Sequence, residues 1–161
     1  MISKKIPEKA KILEAAERTG VFRPKEVDVL EELIDEMSSN KETTYRTLSI
    51  SEGEDLAAFA IFGRTPLTDF SWDVYWLVVS PEYQGKGLGG RLMDEAERLM
   101  TADFPEAVIR VETSTRKEYA GARKFYAGKG YREVGTIEDF YSKRDGIVIY
   151  AKKIAPGKGG V

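Results

Sequence analysis

The chain of 161 residues contains no cysteine and no histidine. Without cysteine it has no disulfides, no thiolate nucleophile and no zinc–thiolate site. Without histidine it lacks the side chain that most often serves as a general base, as the partner of a nucleophilic serine or as a metal ligand. Any proton transfer by this chain must therefore use carboxylate, lysine, tyrosine or water, and we expect no metal site.

The chain also lacks an excess of charge of one sign and a long apolar run. Its 25 basic and 27 acidic residues give a formal net charge of −2, which indicates neither a nucleic-acid-binding surface nor attraction to an anionic membrane. No apolar stretch approaches the ~18 residues of a membrane span, and the N-terminal segment lacks the apolar core of a signal peptide. The expectation is a cytoplasmic protein without nucleic-acid or membrane partners.

Residue patterns predict the order of structural elements. They indicate two helices, three strands, a helix, a strand, a helix and a final pair of strands. This order is typical of an α/β fold with a central mixed β-sheet flanked by helices and one strand–helix–strand crossover. A chain of this length is the size of one domain, so we expect a single domain over 1–161, with a helical N-terminal part over 1–43 and a flexible tail over 155–161.

The most informative stretch is VVSPEYQGKGLGGRLM, where four glycines lie between a predicted strand and a predicted helix. Glycines leave backbone amides accessible, and the first turn of a helix adds N–H donors and the positive end of the helix dipole. The usual ligand of such a loop is an anion that carries phosphate. A glycine-rich turn without a ligand is the simpler alternative, although a plain turn needs only one or two glycines.

A sharper alternative is the G-x-G-x-x-G pattern of dinucleotide-binding folds. Gly85, Gly87 and Gly90 fill it, and Glu112 stands where the ribose-binding acid would lie. Against this interpretation, the segment SPEYQ separates the strand from the first glycine. In addition, only one crossover follows the loop, whereas a dinucleotide fold repeats the strand–helix unit.

Two separated segments resemble the GNAT N-acetyltransferase superfamily. The acetyl-CoA signature of that family is Gln or Arg, two residues, Gly, one residue, and Gly or Ala, which Gln84, Gly87 and Gly89 fill. A later segment, ARKFYAGKGY, resembles the family's following helix, with its aromatic–tyrosine pair and its glycine–aromatic pair. The element order agrees from about residue 44 to residue 154. Two departures are that helices occupy the place of the family's first strand, and that Tyr119 stands where many members have asparagine.

The resemblance implies the acyl-CoA N-acyltransferase (GNAT) fold and an N-acetyltransferase that uses acetyl-CoA. Members move the acetyl group to a primary amine by direct transfer in a ternary complex, without a covalent enzyme intermediate. The glycine loop would bind the pyrophosphate, and the preceding strand would bind the pantetheine through its main chain. The cofactor-binding residues implied in this way are Leu77, Val78, Val79, Gln84, Gly85, Lys86, Gly87, Leu88, Gly89 and Gly90.

The resemblance suggests one catalytic residue, and the residue patterns suggest a base and substrate-binding residues. Tyr126 matches the family's tyrosine that protonates the leaving thiolate; the alternative is a core aromatic that packs beside Phe125. Glu112, expected in a cleft lined by apolar strands, is the best candidate for the base that deprotonates the amine, directly or through water; the alternative is a strand-end carboxylate with a local hydrogen bond. The candidates for holding a cationic acceptor are Asp73, Tyr75 and Asp139.

The alternative function is an acyl-CoA-binding module without turnover, because the binding site of a fold can outlast its chemistry. The sequence leaves open whether the acceptor is a small amine, an amino acid or a peptide. It also allows a homodimer, for which the apolar segment IVIYA of the last strand is the candidate surface.

Overall fold

The computed structural model describes residues 1–156, and its elements follow the predicted order with one addition. The strands are β1 (Ile2–Ser3), β2 (Tyr45–Glu52), β3 (Asp55–Arg64), β4 (Ser71–Val79), β5 (Ala107–Ser114), β6 (Arg132–Ser142) and β7 (Asp145–Ile154). The helices are α1 (Lys9–Arg18), α2 (Pro24–Ser39), α3 (Leu88–Met100) and α4 (Ala120–Gly128), with 3₁₀ turns at Pro81–Tyr83 and Lys117–Tyr119. The predicted tail lies outside the described residues beyond its first two positions. No helix within 1–156 is both long enough and apolar enough to cross a bilayer.

The strands form one seven-stranded mixed sheet in the order β1-β2-β3-β4-β5-β7-β6. Strands β4 and β5 run parallel, with Ser71 opposite Val108 and Val74 opposite Val111. The pairs β1–β2, β2–β3, β5–β7 and β6–β7 are antiparallel. The predicted mixed sheet is therefore confirmed, and a doubly wound dinucleotide-binding fold, whose sheet is mostly parallel, is excluded.

The additional element is the short strand β1. Ile2 pairs with Ile50 and Ser3 pairs with Ser49, both in β2. Two residues are too few to show an alternating pattern, and their partners lie far along the chain, so no local signal predicts this pairing. The expectation that only helices precede the first hairpin is therefore wrong.

Two compact units divide the chain. The first comprises Met1–Gly63 and Trp76–Ala96, and the second comprises Arg64–Tyr75 and the described residues from 97 onward. Strand β4 and helix α3 each contribute residues to both units. That 1–161 forms a single domain stays a prediction.

In the first unit, α1 and α2 bury one face each. Pro24 opens α2, and the Glu26 carboxylate accepts a hydrogen bond from the backbone N–H of Arg23 at 2.7 Å, which satisfies a donor at the helix start. After α1 the chain turns at Gly20, whose φ of 66° favours glycine. The buried cluster joins helix and strand residues: Ile12, Ala15, Ala16, Leu30, Ile34, Met37, Leu56, Phe59, Ile61 and Val78.

In the second unit, β7 lies between β5 and β6. Strand β7 pairs with β5 from Ala107 opposite Ile154 to Ser114 opposite Ile147, and on its other side it pairs with β6. The apolar segment of the last strand is thus interior, so the expectation that it offers a surface for a second copy is wrong. The edge strand is β6, whose side chains are almost all exposed.

Candidate functional site

The predicted ligand loop follows β4 in the first unit. A 3₁₀ turn, Pro81–Tyr83, leads into it, and Gly85 and Gly87 have φ values of 73° and 75°. Such values suit glycine because a side chain would clash with the neighbouring backbone. A Cβ at either glycine would meet no heavy atom within 4 Å, so the space beside this backbone is open.

Helix α3 begins directly after these glycines. Its first turn closes when the Arg91 N–H donates to the Gly87 carbonyl at 3.1 Å, so the N–H groups of 88–90 precede the first helical bond. These donors and the positive end of the helix dipole together favour an anion. A Cβ at Gly90 would also meet no heavy atom within 4 Å, so the residues of the loop fit a phosphate group.

Gln84 braces the loop against the end of β4. Its side-chain Nε2 donates to the Val79 carbonyl at 3.1 Å, and its backbone N–H donates to the Pro81 carbonyl at 3.3 Å. The Gln84 amide and the Val79 carbonyl, both in the predicted cofactor set, are therefore used within the protein. These two hydrogen bonds of Gln84 do not involve the backbone amides from Gly85 onward, so those amides remain for a ligand.

Three side chains beside the loop form a series of contacts that sequence patterns did not predict. The Tyr83 hydroxyl donates to Asp55 Oδ2 at 3.0 Å, which raises the pKa of Tyr83. The Lys86 ammonium lies over the Tyr83 ring, 4.9 Å from its centroid. Asp55 precedes Tyr83 by 28 residues, so only the folded chain brings the two together.

Tyr126 lies on α4 in the second unit and is 7% exposed. Its ring contacts Phe125, Tyr131 and Tyr150, with centroid separations of 5.4, 5.8 and 6.1 Å. Within the part of the chain that the structure describes, no group forms a hydrogen bond with its hydroxyl. Burial raises the pKa of Tyr126, because a phenolate there would lose its hydration. Tyr126 is thus a packed aromatic and also a neutral phenol whose O–H is not committed.

Glu112, on β5 in the second unit, is more exposed than expected. Its side chain is 43% exposed, and its Oε1 lies 3.7 Å from Nε of Arg110. The expectation that apolar strands enclose this carboxylate is therefore wrong. Solvent reaches Glu112, and its nearest charged partner is a cation of the same strand.

Asp73, on β4, is committed to protein partners. It is 7% exposed, and its carboxylate accepts hydrogen bonds from Thr65 Oγ1 at 2.7 Å and from Arg110 Nε at 2.6 Å. The bond to Asp73 also raises the pKa of Arg110. A cationic substrate would have to compete with Arg110 for this carboxylate. Tyr75, two residues further along β4, is 40% exposed.

The remaining acidic candidate, Asp139, lies in the β6–β7 hairpin of the second unit. Its φ is 54°, and its Oδ1 accepts a hydrogen bond from the backbone N–H of Arg144 at 2.6 Å. It therefore shapes the hairpin. The structure joins Asp73 and Glu112 through Arg110 and leaves Asp139 in the irregular end of β6, where the pairing with β7 shifts register. Within residues 1–156, no group of three or more acidic side chains is arranged to hold a metal ion.

Residues 43–133 match the model of a family described as the acetyltransferase (GNAT) domain. N-alpha-acetyltransferase RimI of Mycobacterium tuberculosis is 34% identical over 86 residues, which are 53% of this chain and 49% of that protein. This match spans about half the length of the curated relative.

Two crystal structures resemble the chain over nearly its full length. A GNAT-family protein from Desulfovibrio desulfuricans is 30% identical with a TM-score of 0.87, over 96% of this chain and 99% of that chain. A ribosomal-protein-alanine N-acetyltransferase from Escherichia coli is 19% identical with a TM-score of 0.76, over 100% of this chain and 97% of that chain. At that lower identity the likeness concerns the fold alone.

We expect the stability of the protein to fall as the pH rises above about 10, in part because of Tyr126. The raised pKa means that the unfolded chain releases this proton first while the folded chain keeps it, so alkali favours unfolding. The stabilising contribution is complete below the unfolded pKa and declines above it. Tyr126→Phe cannot ionise and should lose less stability between about pH 9 and pH 11 in urea unfolding. An equal loss in both proteins would contradict the burial of the hydroxyl.

Proposed function

The chain belongs to the acetyltransferase (GNAT) family, and from that premise we propose that it is an N-acetyltransferase with acetyl-CoA as donor and a primary amine as acceptor. The observation that carries this proposal is the loop ahead of α3. Gly85 and Gly87 adopt positive φ there, open space lies beside them, and a helix N-terminus follows at once. The pyrophosphate of acetyl-CoA has the charge that such a terminus binds.

The main chain would hold the cofactor. We assign the pyrophosphate to the amides of 85–90 and the pantetheine to main-chain groups of 77–79. Gln84 joins the two segments through the hydrogen bond from its side chain to the Val79 carbonyl, so its side chain supports the loop. When bound, acetyl-CoA supplies an acetyl thioester, whose carbonyl carbon an amine can attack.

The transfer forms one C–N bond and breaks one C–S bond. The amine must lose a proton, and the departing thiolate must gain one. We assign the donated proton to the Tyr126 hydroxyl, which its raised pKa keeps neutral at physiological pH. The same burial makes Tyr126 a weaker acid than an exposed tyrosine, so it serves best where desolvation also raises the basicity of the thiolate.

Glu112 is our candidate for the group that receives the amine proton. Its exposed carboxylate can act directly or through a water molecule. The pairing of Arg110 with Asp73 bears on this role, because Arg110 already has a carboxylate partner at 2.6 Å and lies 3.7 Å from Glu112. Glu112 can therefore take up a proton without leaving Arg110 unpaired.

As first acceptor to test, we propose the α-amine of a peptide. The support is the 34% identity over 86 residues to a relative named as an N-alpha-acetyltransferase. We also propose a cytoplasmic location, because the reaction needs a supply of free acetyl-CoA. A homodimer would use the edge strand β6, on which Val134 and Ile137 are 55% and 51% exposed.

The loop assignment predicts a loss of CoA binding in Gly87→Ala. The substitution places a Cβ in the proposed phosphate space, and at a φ of 75° it also strains the backbone by roughly 1 kcal/mol. Gly53→Ala is the matched control, because Gly53 has a φ of 62°, equally open surroundings and a place in the β2–β3 hairpin. Both variants should melt lower without ligand, but only Gly87→Ala should lose the rise in Tm that CoA gives. An equal CoA response in both variants would mean that the loop is only a turn, and a larger shift with NAD than with CoA would oppose an acetyltransferase.

The role of Tyr126 can be measured by the release of free thiol from acetyl-CoA, to which a protein without cysteine adds no background. Peptides, amino acids and small amines would be compared as acceptors. Tyr126→Phe removes one oxygen and keeps the ring, so kcat should fall by about 10²–10⁴-fold with little change in CoA affinity. Full activity would make Tyr126 a core aromatic only. Tight CoA binding without turnover on any acceptor would favour a binding module.

The proposed base is tested by Glu112→Gln across pH. The amide keeps the size of the side chain but cannot accept a proton. We expect kcat/KM to fall most near neutral pH and to recover in alkali, where the amine deprotonates unaided. Asp103→Asn, which removes an exposed carboxylate ahead of β5, should leave the pH profile unchanged. A uniform loss across pH would instead make Glu112 a residue that positions the acceptor.

A further inference from the structure

The contacts of Tyr83 with Asp55 and Lys86 have no part in the chemistry assigned so far. All three residues belong to the first unit: Asp55 at the start of β3, Tyr83 at the end of the 3₁₀ turn, and Lys86 between the two glycines of positive φ. The hydroxyl of Tyr83 is bonded to Asp55, and its ring lies under the Lys86 ammonium. The Tyr83 side chain therefore contacts both the Asp55 carboxylate of β3 and the Lys86 ammonium of the loop.

Lys86 is already among the residues that the family resemblance implies for cofactor binding. We propose that Tyr83 and Asp55 are positioning residues that hold Lys86 for contact with a phosphate of the acyl-CoA. The inference rests on the proposed function, since it concerns the same ligand. It adds two residues outside the glycine signature to the machinery that recognises the ligand.

A lysine in a glycine loop has few neighbouring side chains to hold it, so a contact with a nearby ring helps to order it. Lys86 is exposed between two glycines, and ordering a free lysine side chain costs conformational entropy. The attraction between the ammonium and the face of the Tyr83 ring offsets part of that cost before any ligand arrives. The Tyr83 ring can serve this purpose only if its own orientation is fixed. The hydrogen bond of its hydroxyl to the Asp55 carboxylate, at 3.0 Å, provides that fixation.

Two other cations near the 3₁₀ turn are already engaged. Arg18 pairs with the carboxylate of Glu82, and Lys11 Nζ donates to the Glu54 carbonyl at 2.7 Å. Lys86, by contrast, has no carboxylate partner among residues 1–156. The loop amides supply only partial charges, and Lys86 adds a full positive charge that the loop can offer to a phosphate.

The test is a double-mutant cycle read by calorimetric titration with CoA. Lys86→Met keeps the length of the side chain and removes its charge, and should weaken binding roughly tenfold, whereas Lys86→Arg should retain most of it. Tyr83→Leu and Asp55→Asn should each weaken binding by roughly threefold in the parent protein and by almost nothing in the Lys86→Met background. If Tyr83 and Asp55 act by positioning Lys86, their substitutions have no effect on CoA binding once Lys86 is replaced. If they act through the stability of the protein, the effect remains. Lys41→Met, a surface lysine in the α2–β2 connection, is the control for charge alone.

Three further readouts decide the inference. The loss in Lys86→Met should shrink at high salt, and in turnover it should raise KM for acetyl-CoA without lowering kcat. A loss that persists with dephospho-CoA assigns the contact to the pyrophosphate, and a loss seen only with CoA assigns it to the 3′-phosphate. Parent-like affinity of Lys86→Met for CoA would overturn the inference while leaving the proposed function intact. Additive losses in the double variants would overturn the positioning roles, and a parent protein that does not bind CoA would overturn the proposed function itself.

Discussion

The candidate site depends on a backbone conformation that side chains disfavour. Gly85 and Gly87 both adopt positive φ, and they do so immediately before a helix begins. This arrangement leaves amide groups and open space where most sequences would place a Cβ. Three features support those few residues: the strand before the loop, the 3₁₀ turn that leads into it and the hydrogen bonds of Gln84. They could help to bind an anion only because the loop amides are uncovered.

Local patterns were enough to predict the order of the elements and the position of the loop. Helical spacing marks α1, α2 and α3, and the glycine spacing marks the loop, because both signals lie within one short stretch. Pairings between distant segments carried no such signal. The pairing of β1 with β2 joins residues almost fifty positions apart, and the placement of β7 between two strands depends on a crossover that composition does not encode. The expectation that the apolar segment of β7 offers a surface for a second copy came from this limit.

The environment of each candidate side chain was harder to predict than its position. Asp73 has the acidic character expected of a cation-binding residue, but Arg110 from the parallel strand already occupies it. The alternation in AVIRVETS places Arg110 and Glu112 on one face of β5, so their proximity could have been predicted from the sequence. The contact of Arg110 with Asp73 could not have been predicted, because the register between two parallel strands follows from the whole sheet. The same holds for Asp55 and Tyr83, whose contact depends on where β3 starts relative to the 3₁₀ turn.

A chain without histidine constrains how its chemistry can work. The buried phenol of Tyr126 stays neutral over the physiological range, and the exposed carboxylate of Glu112 stays in contact with solvent. The chain has no histidine, the side chain that gains and loses its proton near neutral pH. For the function proposed here, acid–base chemistry would supply about 10²–10⁴-fold of the rate, and the larger share would come from holding donor and acceptor in a reactive orientation. The main-chain loop suits that task, because its amides have fixed directions and do not change their charge with pH.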